Sequence, residues 1–279
     1  MMENNKLLLS DIWRPAKTED YKVHFARWNG EEQPLHVFVR NMDEWKGWQQ
    51  WFPGRNEFNR RFIFSLIQMP DSPDLWMFGG VWNVIGIKSR ADGSKYYEVD
   101  LTDQLSALIG RLKLHRVHKG RGTRLNLEGH HDHFVVSEIL AERYTGRSFP
   151  GYTLVNLSFQ ELEALIGNGR QDWSTALSHI KGVYLITDTK TQRRYVGSAY
   201  GELGLWARWK IYALLGHGGN AGMRDLLKDH DLDYCRRFFK FALLEHHDAR
   251  VEDRTIMDRE NYWKQVLDTR HTKTGLNRN

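Results

Sequence analysis

The 279-residue chain has one cysteine and few prolines, and no apolar run approaches the ~20 residues needed to cross a bilayer. A lone Cys235 excludes an intramolecular disulfide framework and points to a reducing compartment, the cytoplasm. The apolar stretch Leu7-Leu8-Leu9 is too short for a signal peptide, and no small-residue cleavage site follows it. Internal repeats and low-complexity tracts are absent, as are the phosphate loop and the dinucleotide fingerprint of common nucleotide-binding enzymes. Two histidine-rich stretches, Gly129-His130-His131-Asp132-His133 and His246-His247-Asp248, lack a second ligand pair at zinc spacing and read as a solvated loop and a turn. Charge of one sign is also scarce: 40 Lys/Arg against 35 Asp/Glu leave +5, which permits a phosphate-backbone partner without requiring one.

Apolar residues make up 41% of the chain and aromatics 13%, with 11 Trp, enough for packed cores. The length argues for two domains. The first, 1–150, reads as a β-rich α+β domain. Strands are predicted at Leu35–Arg40, Arg61–Ile67, Leu75–Val84 and Tyr96–Asp100, with a turn at Met69–Asp74. Helices are predicted at Asp43–Trp51, where Trp45, Trp48 and Trp51 share a core-facing spacing, and at His133–Tyr144. A helical linker is expected over 151–180, opened by the capping box Ser158…Glu161. Beyond it, 181–279 reads as strands at 182–187, 194–198 and 237–244, a small three-stranded antiparallel sheet. Helices at 204–215, 221–229 and 253–268 flank it.

Between Arg111 and Arg124 lies a stretch without an acid that holds Arg111, Lys113, Arg116, Lys119, Arg121 and Arg124. Its Arg-Leu-Lys-Leu alternation sets cations on one strand face, as a surface tracking double-stranded DNA requires. Trp76, Phe78 and Trp82 recur at even spacing and could form one wall of a pocket for a flipped, modified base.

The chemistry lies in the last third. Gly182-Val183-Tyr184 and Tyr195-Val196-Gly197 flank a polar turn, so a hairpin brings two phenols near one another. Arg208 follows on the next helix, Glu260 on the last, and Asn277 in the closing Gly275-Leu276-Asn277. In order and spacing this series resembles the GIY-YIG nuclease family, with valine in place of both isoleucines. It departs in an inserted loop at Gly201-Glu202-Leu203-Gly204 and in Tyr212, which stands where many members carry histidine.

The resemblance implies a DNA endonuclease. Arg208 would be the fixed cation on the phosphate, and Glu260 the sole ligand of one Mg²⁺ (or Mn²⁺), an ion that accepts few protein ligands and keeps several waters. Asn277 would orient the glutamate or a backbone segment. Tyr184 is the first candidate for the base, with Tyr195 positioning water or phosphate and Tyr212 able to share either task. A targeting domain beside such a module suits restriction or phage defence. A repair or recombination nuclease on structured DNA and an inactive DNA-binding protein are the alternatives. One site cuts one strand, so a double-strand break needs a homodimer or two sequential events.

Overall fold

The computed structural model describes residues 6–201 and 204–279, and the chain forms two compact units, Met1–Tyr144 and Thr145–Asn279. Glu202 and Leu203 of the expected loop, and residues 1–5, lie outside the described residues.

The first unit is β-rich and α+β. After a short helix α1 (Leu9–Ile12), β1 (Tyr21–Ala26) pairs in parallel with β2 (Phe62–Met69). A parallel pair needs a crossover, and α2 (Pro34–Arg40) and α3 (Met42–Gln50) supply it. Leu35–Arg40 is therefore helix and not the expected strand. Pro34 opens it at the position where a missing N–H costs nothing. Leu35, Val37, Phe38 and Val39 are all buried, which erases the helical period from the sequence. Asn41 caps α3 by accepting from the Asp43 and Glu44 amides.

The remaining strands are β3 (Ser72–Ser89), β4 (Lys95–Leu101), β5 (Leu112–His115), β6 (Arg124–Asn126) and β7 (Val135–Ile139). They order as β6-β1-β2-β3-β5-β7, with β4 also on β3. The helix expected at 133–144 does not form: Val135–Ile139 pairs with β5 instead, in keeping with its β-branched start.

One irregularity decides where the tryptophans go. Ser65 pairs with Gly80 and Leu66 with Phe78, leaving Gly79 as an extra residue in β3. Trp45 requires the glycine there: a Cβ would lie 2.7 Å from its ring, and its indole donates to the Gly79 carbonyl at 2.9 Å. Because a strand alternates faces with period two, the bulge reverses the parity downstream. Trp76 and Phe78 join the core with Phe25 and Phe64, while Trp82 turns to the other face and donates to Ser65 Oγ at 3.1 Å. All three are buried, so they form no open pocket wall.

The second unit begins before the expected boundary. β8 (Asn156–Ser158), α4 (Phe159–Gly167) and α5 (Gln171–Ser178) are integral to it and not a linker. The Ser158–Glu161 capping box is present. β9 (Ile180–Asp188), β10 (Arg194–Ala199), α6 (Gly204–Leu215), α7 (Ala221–Leu226), α8 (Leu232–Phe238), β11 (Phe239–Asp248) and α9 (Asp253–Val266) follow. The sheet has four strands where three were expected, in the order β10-β9-β11-β8, all antiparallel. β11 continues past a bulge, so His246-His247-Asp248 is strand and not turn.

Alternation along β9 and β10 sorts the two triplets. Tyr184, Ile186 and Tyr195 face the core built with Leu165, Trp173 and Trp209, and Val183 and Val196 face Ile256 of α9. The two valines are fully buried.

Candidate active site

β10 is the edge strand, with α6 packed on one face of the sheet and α9 on the other. Side chains from both faces can therefore meet around its end. There a cleft of about 450 Å³ is lined by Tyr195, Ser198, Tyr200, Arg208, Glu260 and Asn279, among others.

Arg208 and Tyr212 lie one turn apart on α6 and so share a face. The Arg208 Nε donates to the Tyr184 hydroxyl at 3.0 Å, Nη2 to the Tyr212 hydroxyl at 3.3 Å, and Nη1 to the Gly218 carbonyl at 3.0 Å. Its guanidinium sits 5.0 Å from the Tyr212 ring centre. A guanidinium has five N–H groups. Three are engaged here, so one remains on each terminal nitrogen, the pair that binds two phosphate oxygens.

The phenols form one network. Tyr184 and Tyr212 hydroxyls are 3.1 Å apart. Asn220 Nδ2 donates to Tyr212 at 2.6 Å, and Tyr195 donates to Asn220 Oδ1 at 2.6 Å. Tyr212 already accepts from Arg208 and Asn220, so its own proton points to Tyr184. Gly197 makes this close approach feasible, since a Cβ there would lie 2.6 Å from the Tyr184 hydroxyl. Burial raises the pKa of all three phenols, only partly opposed by Arg208 at Tyr184. None is poised to accept a proton at neutral pH, and of the three only Tyr195 lines the cleft. The arginine is correspondingly held more firmly in its charged form by the phenols despite its own burial.

Glu260 enters from α9. Ser198 Oγ donates to its Oε2 at 2.5 Å and the Lys264 ammonium lies 2.8 Å from its Oε1. Lys264 is only 3% exposed and also donates to Asn279 Oδ1 at 3.1 Å. Each carboxylate oxygen can accept twice, so each keeps a lone pair. Among the described residues no other carboxylate side chain lines this cleft, and no cluster of three or more metal-ligating side chains occurs. A single carboxylate beside an open cleft fits Mg²⁺, which binds through one or two carboxylates and keeps its waters.

Asn277 is 2% exposed and clasps one residue of β10: Nδ2 donates to the Val196 carbonyl at 2.8 Å, and the Val196 amide donates to Oδ1 at 3.0 Å. It thus orients a backbone segment and not the glutamate. The neighbouring Leu276 amide donates to the Arg194 carbonyl, so this tail covers the open edge of β10.

The expected basic stretch is mostly committed elsewhere. Arg111 donates to the Leu140 and Ala107 carbonyls, and Lys113 pairs with Glu138 at 2.7 Å. Arg116 reaches His130 at 3.2 Å. The Arg124 side chain is 5% exposed and paired with Glu57. Lys119 and Arg121 stand exposed on the surface. His131 is buried and donates from Nε2 to the Trp13 carbonyl, a structural and not a metal-binding role.

Ser198, Asn220, Lys264 and Asn279 belong to this site without a motif to mark them. Only the fold could reveal them, apart from the spacing of Glu260 and Lys264 by one helical turn. Comparison with known family models, curated proteins and solved structures gives no match.

Proposed function

We propose that the Thr145–Asn279 unit is a GIY-YIG-type phosphodiesterase that hydrolyses DNA with Mg²⁺ (or Mn²⁺), and that the Met1–Tyr144 unit directs it to substrate in restriction or phage defence. The observation that carries this reading is that Tyr195, Arg208 and Glu260, from three different elements, line one cleft at the end of β10. A phosphate entering the cleft would meet the two spare N–H groups of an arginine already fixed by Tyr184, Tyr212 and Gly218, so little ordering is needed on binding. The Tyr195 oxygen, whose proton goes to Asn220, keeps lone pairs with which to orient an attacking water. Glu260 would hold the metal, which when bound neutralises charge on the phosphate and acidifies water.

Plasmid nicking tests this directly. The full chain should nick supercoiled DNA with Mg²⁺ and not with EDTA. Glu260→Ala should remove the activity while the circular dichroism spectrum and most of the DNA affinity, both measured in EDTA, are retained. Undiminished Mg²⁺-dependent nicking by that variant would defeat the assignment. Preference for branched over plain duplex would instead favour repair or recombination, and DNA binding without nicking would mark an inactive nuclease fold.

A further inference from the structure

The first unit contains a cavity of about 770 Å³ at the C-terminal end of β1, walled by Trp28, Trp48, Trp51, Phe25 and His24. Trp28 and Trp51 are 61% and 59% exposed, unlike Trp45 one turn before Trp48, which is fully buried. The expected core stripe Trp45-Trp48-Trp51 therefore supplies one core residue and two walls of an open aromatic chamber. A cavity of this size is within the range of small-ligand sites, which combine apolar walls with a few fixed polar groups.

Those polar groups are present. His24, 4% exposed, lies at the inner wall. Gln49 Nε2 donates to the Trp45 carbonyl, which leaves Gln49 Oε1 as the acceptor for His24 Nδ1 at 2.6 Å. The imidazole proton is thus on Nδ1, and Nε2 carries a lone pair with no partner among the described residues. Arg27 and Arg124 also line the chamber, and the Nε–H of each is buried without a hydrogen-bond partner. Three acids also line the chamber: Glu32 and Glu44 are paired with Arg40, and Glu31 stands exposed at the rim.

A second cavity of about 790 Å³ shares Trp51, Thr123 and Arg124 with the first and adds Lys22, Arg55 and Arg121 against one acid, Glu57. An aromatic chamber thus opens beside a basic groove, with Trp51 between them.

We propose that the chamber takes a single nucleobase rotated out of a DNA duplex, while the flanking phosphates follow the groove at Lys22, Arg55 and Arg121. Aromatic walls supply stacking, and the His24 lone pair supplies a hydrogen bond to the base edge. This rests on the reading of the chain as a DNA-directed enzyme, and it relocates base recognition from Trp76, Phe78 and Trp82 to a different set of residues.

The test uses the full chain in EDTA, where cleavage cannot interfere. Duplexes carrying one unpaired base (each ordinary base, 5-methylcytosine or 5-hydroxymethylcytosine) are compared with the same duplex bearing an abasic site at that position. At least one base-bearing duplex should bind about tenfold to a hundredfold more tightly than the abasic one, the range that aromatic stacking provides. The double variant Trp28→Ala/Trp51→Ala, which touches only exposed rings, should bring the duplexes to equal affinity. Equal affinities in the unaltered chain, no binding to any duplex, or a preference that survives in the double variant would overturn the proposal. Failure of the nuclease reading would appear separately, as absent nicking with Mg²⁺.

Discussion

Asn277→Ala isolates a contact whose magnitude follows from the structure. The side chain satisfies both polar groups of Val196, a residue with no exposed surface, and it is itself buried. Alanine leaves a donor and an acceptor without partners beside the site, and each unsatisfied buried group costs about 1–3 kcal/mol. Partial relaxation of the tail should hold the total to about 2–4 kcal/mol. In a unit of this size that lowers Tm by roughly 10 °C. Val196 lies between Tyr195 and Gly197, so a shifted β10 also moves the cleft, and nicking at 25 °C should fall by about tenfold, as small misplacements of reacting groups do. Thermal melts by circular dichroism, run beside the exposed control Arg278→Ala, provide the assay. A melting point within 2 °C (roughly 0.5 kcal/mol) of the parent would refute the reasoning, because it would mean that the clasp satisfies nothing that water cannot.

Arg208→Lys should lower kcat by about a hundredfold or more, since an ammonium cannot hold Tyr184, Tyr212 and Gly218 while presenting a fork to phosphate. Parental rates would show that only charge matters. Tyr184→Phe and Tyr212→Phe should each lose about tenfold, because each removes one restraint on the same arginine. A far greater loss in Tyr184→Phe alone would restore it as the base. Burial holds the His24 pKa down to about 3, below its ordinary 6.5. The unfolded chain therefore takes up a proton that the native one refuses, and native stability should fall by about 1.4 kcal/mol for each unit of pH below 6.5 until about 3. Urea midpoints at pH 7 and pH 5 should show the loss, and His24→Gln should flatten it; an unchanged slope in that variant would assign the effect to other groups.

What was legible in the sequence was local. The hairpin at 182–198 came through because turn chemistry and apolar runs coincide there, and the helix expected at 204–215 forms over those residues. The helix at Pro34–Arg40 was hidden because all its apolar residues are buried, and β-branched valines in such a run look like strand. β8 was hidden because a three-residue strand carries no period, and its partner lies some 85 residues downstream in β11. Trp82 was misplaced because a single extra residue at Gly79 reverses the parity, a shift no alternation pattern records. Tyr184, Tyr195, Arg208 and Glu260 were candidates from the motif resemblance, and the fold gathers them at and just behind one cleft. Asn220 and Lys264 were not, because their partners are assembled by tertiary packing.

Lys264 gives the site a resident charge that changes how its ligands depend on one another. Among the described side chains, Arg208 in the cleft and Lys264 behind it are positive and Glu260 is negative, an excess of positive charge before any metal arrives. A divalent cation reaching Glu260 would be resisted by a buried ammonium 2.8 Å from the same carboxylate. A bound phosphodiester relieves that resistance. On the nuclease reading, metal and DNA are therefore linked ligands, each raising the affinity of the other by the same factor. The free protein would hold Mg²⁺ weakly, and assembly of the complete site would wait for substrate.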